Sequence, residues 1–381
     1  MVIYLDNAAT SFPKPKIIHQ KLDEYLSNYA ANPGRSGHRM ALESSEAIFK
    51  VRELICQLFN IASPMQVIFT SSATESLNLA IKGTLYKGDH VITTSMEHNS
   101  VLRPIKALES FGITNTIIYC NENGMIDPKD VEESILPNTK LIAMTHASNV
   151  TGTLMPIVEI GEIAKKNNVY FLVDGAQTAG VLPIDIEKMN IDLLAVPAHK
   201  GLLGMQGLGI LYIKEGLDVR HFKEGGTGSK SQELIQPLIL PDRYETGTPN
   251  TPGIIALGAS IEFILDKGIK KIREHEEELT KYFIDKIQTI DKIKVYGAHH
   301  LGKQASVVSI NIKEEDSCDI GSCLDRMFNI AVRSGFHCAP LAHETIGTSE
   351  QGTVRFSFGY FNTKEEIDIV LKAIKEICNQ V

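Results

Sequence analysis

The feature that most constrains this fold is an alternation of short apolar runs with helical patterns between about residues 60 and 215. Parallel strands cannot be joined by a tight turn and need a crossover, usually a helix. Repeated alternation therefore predicts βαβ units and a mainly parallel sheet covered by helices on both faces. Seven runs have the length and composition of strands: QVIFT, HVITTS, TIIYC, KLIAMTH, VYFLVD, DLLAVP and LGILYI.

The pattern changes after residue 250. Two long helical stretches lead into the strand-like runs SVVSINI and VRFSFGY, and Thr363 with Glu366 forms a capping-box pattern before a last helix. We therefore predict an α/β protein in which residues 16–255 form a large domain with the seven-stranded sheet. Residues 1–15 together with 256–381 are predicted to form a smaller α+β domain.

Charge and hydropathy argue against several classes of function. The formal net charge of -8 disfavours nucleic acid as a partner, because phosphate binding needs a basic surface. No apolar run reaches the roughly 18–20 residues of a membrane span, and the N-terminal residues lack the pattern of a signal peptide. The six cysteines form no CxxC or Cys/His cluster, which predicts free thiols and no metal site. A cytoplasmic location is the resulting expectation.

Three motifs follow predicted strands and have possible chemical roles. The turn near Ala73 and Thr74 opens a helix whose free N–H groups suit a phosphate, although an ordinary helix cap fits equally well. Asp174 follows VYFLVD, and a carboxylate there can either cap a turn or keep a pyridine nitrogen protonated. Lys200 precedes a Gly-rich loop, where a lysine is usually solvated but can also form a Schiff base.

The order of these motifs resembles that of fold-type I pyridoxal-phosphate enzymes. Over nearly its whole length the chain resembles the cysteine desulfurases of the class V aminotransferase group. Eight short motifs in the same order carry the resemblance: YLDNAAT, TSSATESLNLAIKG, MEHNS, SNVTG, DGAQTAG, AHK, ETGTPNTP and RSGFHCAP. It implies an aspartate aminotransferase-like fold, pyridoxal 5'-phosphate as cofactor and L-cysteine as substrate. It also implies a sulfur-acceptor protein, for example in iron–sulfur cluster assembly.

The resemblance also implies roles for individual residues around the cofactor. Lys200 matches the Schiff-base lysine that later moves the Cα proton, and Asp174 matches the partner of the pyridine nitrogen. Gln177 matches the residue bonded to the phenolic oxygen of the ring, and His98 matches the histidine stacked on it. The phosphate contacts match Ala73, Thr74, His199 and, from a neighbouring subunit, Thr248. A homodimer with shared active sites is therefore implied.

The remaining matches concern the substrate. Asn149 matches a residue near the cofactor and the substrate carboxylate, and Arg355 matches the arginine that binds this carboxylate. Cys338 matches the nucleophile that takes sulfur from cysteine as a persulfide, so that alanine is released. Because the nucleophile must be a thiolate, a positive field is expected around it, and Arg333 and His337 are the candidates to supply it.

Some alternatives stay open at this point. Pro197 stands where many members of the group carry Ser or Thr, which removes a possible donor to the phosphate. Selenocysteine lyase, or another reaction of the class V aminotransferase type, could use the same residues. A non-catalytic scaffold or sulfur-relay protein is a further alternative, although intact Lys200, Asp174 and His98 argue against it.

Overall fold

A computed structural model describes residues 2–34, 37–298 and 302–380. The helices are α1 (Lys16–Asn28), α2 (Arg39–Phe59), α3 (Ala73–Thr84), α4 (Asn99–Leu108), α5 (Pro128–Glu133), α6 (Ile157–Lys166), α7 (Thr251–Lys267), α8 (Ile269–Ile287), α9 (Ser317–Phe328), α10 (Pro340–Thr345) and α11 (Lys364–Gln380). The strands are β1 (Ile3–Tyr4), β2 (Val67–Thr70), β3 (His90–Thr94), β4 (Thr114–Ile118), β5 (Thr139–Thr145), β6 (Tyr170–Asp174), β7 (Leu193–Pro197), β8 (Gly209–Ile213), β9 (Ile293–Tyr296), β10 (Val307–Ile312), β11 (Ile330–Ala331), β12 (Arg333–Gly335) and β13 (Thr353–Ser357).

The seven predicted strands form one sheet in the order β2-β8-β7-β6-β5-β3-β4. All neighbours from β7 to β4 are parallel, whereas β8 is antiparallel to both β7 and β2. The short loop of residues 198–208 between β7 and β8 contains no crossover helix, so β8 returns in the opposite direction. The prediction of a mainly parallel seven-stranded sheet is confirmed.

Both faces of this sheet are buried, as the apolar strands predicted. In β7, Leu194 and Val196 belong to one apolar cluster, whereas Leu193 and Ala195 belong to another on the opposite face. Successive side chains of a strand point to opposite faces, so a strand covered on both sides needs apolar residues at every position. All five residues of β7 are buried.

The C-terminal part contains a second, antiparallel sheet in the order β12-β13-β10-β9. Its apolar core includes residues of β10 and β13 together with residues of α8, α9 and α11. The predicted capping box opens α11, since the Glu366 N–H donates to Thr363 Oγ1 at 3.3 Å and the Thr363 N–H donates to Glu366 Oε2 at 3.1 Å. The boundaries of the two predicted domains stay a prediction.

Residues 4–14, here called the N-terminal strap, join the two sheets. Asp6 forms a parallel β-bridge with Ser357 at the end of β13. Further along the strap, the carbonyl of His199 accepts hydrogen bonds from the Ser11 N–H at 3.0 Å and from Lys14 Nζ at 3.0 Å. It also accepts one from Thr10 Oγ1 at 3.1 Å. The start of the chain therefore fixes the loop that carries Lys200.

Within the described residues, no helix is long and apolar enough to cross a membrane.

The turn after Asp174 packs closely against the same loop. Gly180 has a φ of +84°, and a Cβ atom at this position would lie 2.4 Å from the carbonyl oxygen of Gly201. Only glycine permits both the backbone angle and the contact. Gly216 has a similar φ of +80° but has open space around it, which makes it a matched control.

We expect Gly180→Ala to lower the free energy of unfolding by about 2–4 kcal/mol, because the new methyl group adds a clash to the backbone strain. Gly216→Ala, which introduces the strain alone, is expected to cost about 1–2 kcal/mol. Denaturant titration of both variants measures the difference. Equal losses would show that the approach of Gly180 to Gly201 does not matter for stability.

Candidate active site

A cavity of about 110 Å³ lies at the carboxyl ends of β5, β6 and β7. Its walls bring together eight residues that the sequence singled out: Ala73, Thr74, His98, Asn149, Asp174, Gln177, His199 and Lys200. The other lining residues are Ser72, Leu77, Ser100, Thr145, Ala176 and Pro197. Because parallel strands end at one edge of the sheet, residues far apart in sequence meet there.

One end of the cavity is suited to an anion. Ser72 caps α3, and its hydroxyl accepts a hydrogen bond from the Glu75 N–H at 3.2 Å. The N–H groups of Ala73 and Thr74 belong to the first turn of this helix and have no partner within it. His199 Nδ1 is also buried without a hydrogen-bond partner among the described residues. These groups fit a phosphate at a helix N-terminus.

Asp174 and Gln177 provide polar groups for a ring in the middle of the cavity. Asp174 is 4% exposed and accepts a hydrogen bond from the Ala176 N–H at 2.9 Å. Burial raises the pKa of Asp174, while this N–H and the Lys200 ammonium act to lower it. Gln177 Nε2 donates to the Ala8 carbonyl at 3.2 Å, which fixes its amide. A protonated ring nitrogen next to Asp174 would give the buried carboxylate an opposite charge.

Lys200 lies on the same cavity wall and is poised to lose its proton. Burial lowers the pKa of Lys200 to about 8. The Asp174 carboxylate acts to raise this pKa, and the Arg355 and Arg333 guanidinium groups act to lower it. A larger fraction of uncharged amine near neutral pH suits a lysine that must bind a carbonyl carbon.

His98 caps α4 and takes part in a chain of hydroxyl groups. Its Nδ1 accepts a hydrogen bond from the Ser100 N–H at 3.0 Å and lies 2.9 Å from Ser100 Oγ, which is 2.8 Å from Thr74 Oγ1. Burial, with a smaller effect of the Lys200 cation, lowers the pKa of His98 to about 4. The imidazole is therefore neutral near pH 7, and its proton is on Nε2. Ser100 was not among the residues predicted for the site, and the sequence marks it only by its position in the first turn of α4.

Arg355 is 1% exposed and does not line the cavity. Its Nη1 donates to the Asn149 carbonyl at 3.0 Å, and its Nη2 donates to Asp6 Oδ1 at 2.9 Å. Its Nε is buried without a partner among the described residues. Asn149, which lines the cavity, thus connects Arg355 with the cavity wall. Asp6 was not among the residues predicted for the site.

Cys338 is exposed and lies in the turn after β12. Two hydrogen bonds tie this turn to the cavity: Asn149 Nδ2 donates to the His337 carbonyl at 2.7 Å, and the Asn99 N–H donates to the Cys338 carbonyl at 2.7 Å. Arg333 Nη2 lies 3.5 Å from Cys338 Sγ. Arg333 therefore provides the positive charge expected near the thiol.

The expectation that His337 adds to this positive field is wrong. The side chain of His337 is 2% exposed, and its Nε2 lies 3.0 Å from Thr353 Oγ1 and 3.1 Å from the Thr353 carbonyl. Burial lowers the pKa of His337 far below its usual value, with a further lowering by the Arg355 cation. His337 is therefore neutral, and its contact with Thr353 joins the turn to β13.

Thr248 and Pro197 line different cavities. Thr248 is exposed and lines another cavity, of about 440 Å³, together with Ser71 and Glu75. Its predicted contact with a phosphate in the neighbouring subunit stays a prediction. Pro197 lines the 110 Å³ cavity together with the hydroxyl-bearing residues Ser72 and Ser100.

The similarity to known proteins agrees with this geometry. Residues 3–370 match the family described as aminotransferase class-V, and the chain belongs to this family. Within the family it groups with the cysteine desulfurases. A probable cysteine desulfurase of Borreliella burgdorferi is 35% identical over 100% of this chain and 92% of the relative. One of Pyrococcus abyssi is 37% identical over 99% and 94% of the two chains.

Solved structures show the same relationship. The apo structure of the cysteine desulfurase of Thermococcus onnurineus superposes with a TM-score of 0.94 at 34% identity, covering 100% of this chain and 95% of that one. The cysteine desulfurase CsdA of Escherichia coli gives a TM-score of 0.89 at 26% identity, with coverage of 100% and 95%. The predicted fold-type I architecture is thereby confirmed.

The environment of Lys200 leads to a prediction for the cofactor-free protein. Competitive labelling with an amine reagent, followed by mass spectrometry, should give half-maximal reactivity of Lys200 near the pKa of about 8. The Asp174 carboxylate raises this pKa, so Asp174→Asn should shift the midpoint to lower pH. A midpoint near the ordinary lysine value of about 10.4 in the unchanged protein would contradict this description of the site.

Proposed function

We propose that this protein is a pyridoxal-phosphate-dependent cysteine desulfurase that forms alanine from L-cysteine and holds the sulfur on Cys338. The observation that carries the proposal is the pair of hydrogen bonds that tie the Cys338 turn, through Asn149 and Asn99, to the cavity containing Lys200 and Asp174. With these contacts, the Cys338 thiol as nucleophile and Lys200 as Schiff-base lysine would belong to one site. The cysteine desulfurases among the relatives support the same reaction.

The lining residues fit the cofactor group by group. Ala73, Thr74 and His199 would hold its phosphate, and Asp174 would keep its ring nitrogen protonated. Lys200 would hold its carbonyl carbon. When bound, pyridoxal phosphate supplies a carbon that reacts with amines and a ring that accepts the electrons released at the substrate Cα.

The remaining polar groups bind the substrate and move its protons. Arg355 would bind the carboxylate of cysteine through charge-assisted hydrogen bonds, with the free Nε as one donor. Lys200, as an uncharged amine, would accept the Cα proton. His98, with its proton on Nε2, would donate a hydrogen bond or a proton at the face of the ring.

Sulfur leaves the substrate by nucleophilic attack. The Cys338 thiolate forms a bond to the substrate Sγ, and the Cβ–Sγ bond breaks with its electron pair remaining on the carbon side. A proton taken up at Cβ completes the methyl group of alanine, and the protein retains a persulfide. Arg333, 3.5 Å from Cys338 Sγ, would stabilise the thiolate that this step requires.

The alternative reaction, that of a selenocysteine lyase, could use the same lysine, aspartate and cysteine positions. The relatives described above are named cysteine desulfurases, which favours sulfur as the natural element. A comparison of L-cysteine with L-selenocysteine as substrates of the purified protein would rank the two activities directly.

We further propose a cytoplasmic homodimer that passes its sulfur to an acceptor protein, for example in iron–sulfur cluster assembly. A reducing compartment suits the reaction, because it keeps the nucleophilic thiol free. Support for the dimer comes from four exposed apolar side chains between β8 and α7: Leu234, Ile235, Leu238 and Ile239. Clusters of this kind are usually covered by another protein surface.

Cys338→Ala should lower alanine formation from L-cysteine by at least about a hundredfold, because the nucleophile is lost. The visible absorption band of the cofactor should persist, since Lys200 and Asp174 are unchanged. Cys318→Ala, which removes another exposed thiol, is the control and should keep full activity. Mass spectrometry after L-cysteine treatment should find an extra sulfur on Cys338, and unchanged alanine formation by Cys338→Ala would overturn the assignment.

The dimer proposal has its own test. Sedimentation should give the mass of two chains of 42.0 kDa, and Leu234→Glu should favour the monomer, because a charge replaces an exposed leucine.

Thr248→Val should weaken cofactor binding roughly tenfold by removing a hydroxyl donor to the phosphate. Thr246→Val is the neighbouring control, expected to leave affinity unchanged. A monomer that binds the cofactor equally well would contradict shared active sites.

A further inference from the structure

The substrate arginine already has a carboxylate partner within the protein. Asp6 Oδ1 accepts a hydrogen bond from Arg355 Nη2 at 2.9 Å, and the contact joins residues 349 positions apart. Backbone structure fixes this pair, since Asp6 bridges to Ser357, two residues from Arg355 on the same face of β13. The Asp6 side chain is 22% exposed, whereas that of Arg355 is 1% exposed. Asp6 is therefore the member of the pair that solvent and solutes can reach.

The pair of Asp6 and Arg355 belongs to a larger group of charges around the site. Three cations, Lys200, Arg333 and Arg355, act on one another around the site, and the carboxylates that act on Lys200 are Asp174 and Asp6. Asp174 lies on the cavity wall, where the ring nitrogen of the cofactor would engage it. Asp6, which is hydrogen-bonded to Arg355, is thus a second carboxylate that offsets these cations.

We propose that Asp6 is a specificity-determining residue that makes the site select zwitterionic α-amino acids over simple carboxylates. Its negative charge weakens the attraction of the three cations for any carboxylate, and it attracts an ammonium group carried next to that carboxylate. The first effect weakens the binding of an amino acid, and the second strengthens it. The binding of an acid without an amine is only weakened. The inference rests on the proposed function, because it assumes that Arg355 binds the substrate carboxylate.

A second effect of Asp6 is geometric. With Asn149 it holds two sides of the guanidinium group, so the planar donors keep one orientation and Nε stays available. Loss of this support would weaken the binding of all carboxylate ligands equally. A charge effect, in contrast, separates ligands with an ammonium group from ligands without one, and this difference distinguishes selection from simple positioning.

The test compares L-cysteine with 3-mercaptopropionate, which is the same molecule without its amine. In the cofactor-loaded protein we expect Asp6→Asn to raise KM for L-cysteine and to lower Ki for 3-mercaptopropionate. The ratio of Ki to KM should fall by roughly tenfold or more, a size typical of a lost charge in a partly buried site. Asp6→Glu keeps the charge and should retain most of the ratio. Asp266→Asn, at an exposed carboxylate paired with Lys267, should leave it unchanged.

Each outcome has a distinct meaning. If KM and Ki rise by the same factor in Asp6→Asn, Asp6 only positions Arg355 and the proposal is overturned; an unchanged ratio overturns it equally. If the unaltered protein forms no alanine from L-cysteine, the proposed function fails. The same two ligands can then be compared by calorimetric titration, where retained preference for the zwitterion that Asp6→Asn abolishes would still support the role of Asp6.

Discussion

The site depends first on the parallel arrangement of the large sheet. Strands β5, β6 and β7 all end at one edge, so Thr145, Asp174 and Pro197 meet around one cavity although they are far apart in sequence. The one antiparallel strand, β8, is equally important. Because the chain returns through a short loop after β7, Lys200 stays at this edge instead of continuing into a crossover helix. A parallel β8 would have required a helix where the lysine loop now lies.

Burial of charge is the second constraint, and the N-terminal strap satisfies much of it. The strap binds Arg355 through Asp6 and binds the Lys200 loop through the carbonyl of His199. A buried guanidinium group or a lysine without such partners would lose far more solvation than it recovers. The strap therefore allows the site to hold cations beside Lys200, whose pKa is lowered to about 8 mainly by burial and further by the Arg355 and Arg333 guanidinium groups.

The sequence predicted the parts of this structure that depend on local pattern or on a recognisable motif. The strand alternation located all seven strands, and the motifs located Lys200, Asp174 and His98 around one cavity. It did not predict Ser100 or Asp6, because their roles come from contacts with elements distant in sequence, which hydrophobic period does not encode. His337 failed for a related reason: adjacency to Cys338 suggested a cation, but tertiary burial leaves the ring neutral beneath the turn.

The clamped Cys338 turn has a consequence for the proposed sulfur transfer. His337 and Cys338 both have positive φ values, +50° and +58°, a backbone conformation that is uncommon for residues other than glycine and that surrounding contacts help to hold. The amide of Asn149 and the N–H of Asn99 are two of these contacts, and both come from residues beside the cavity. These contacts hold the Cys338 turn beside the cavity. Because Cys338 is exposed, an acceptor protein in the proposed transfer would meet the sulfur at this turn.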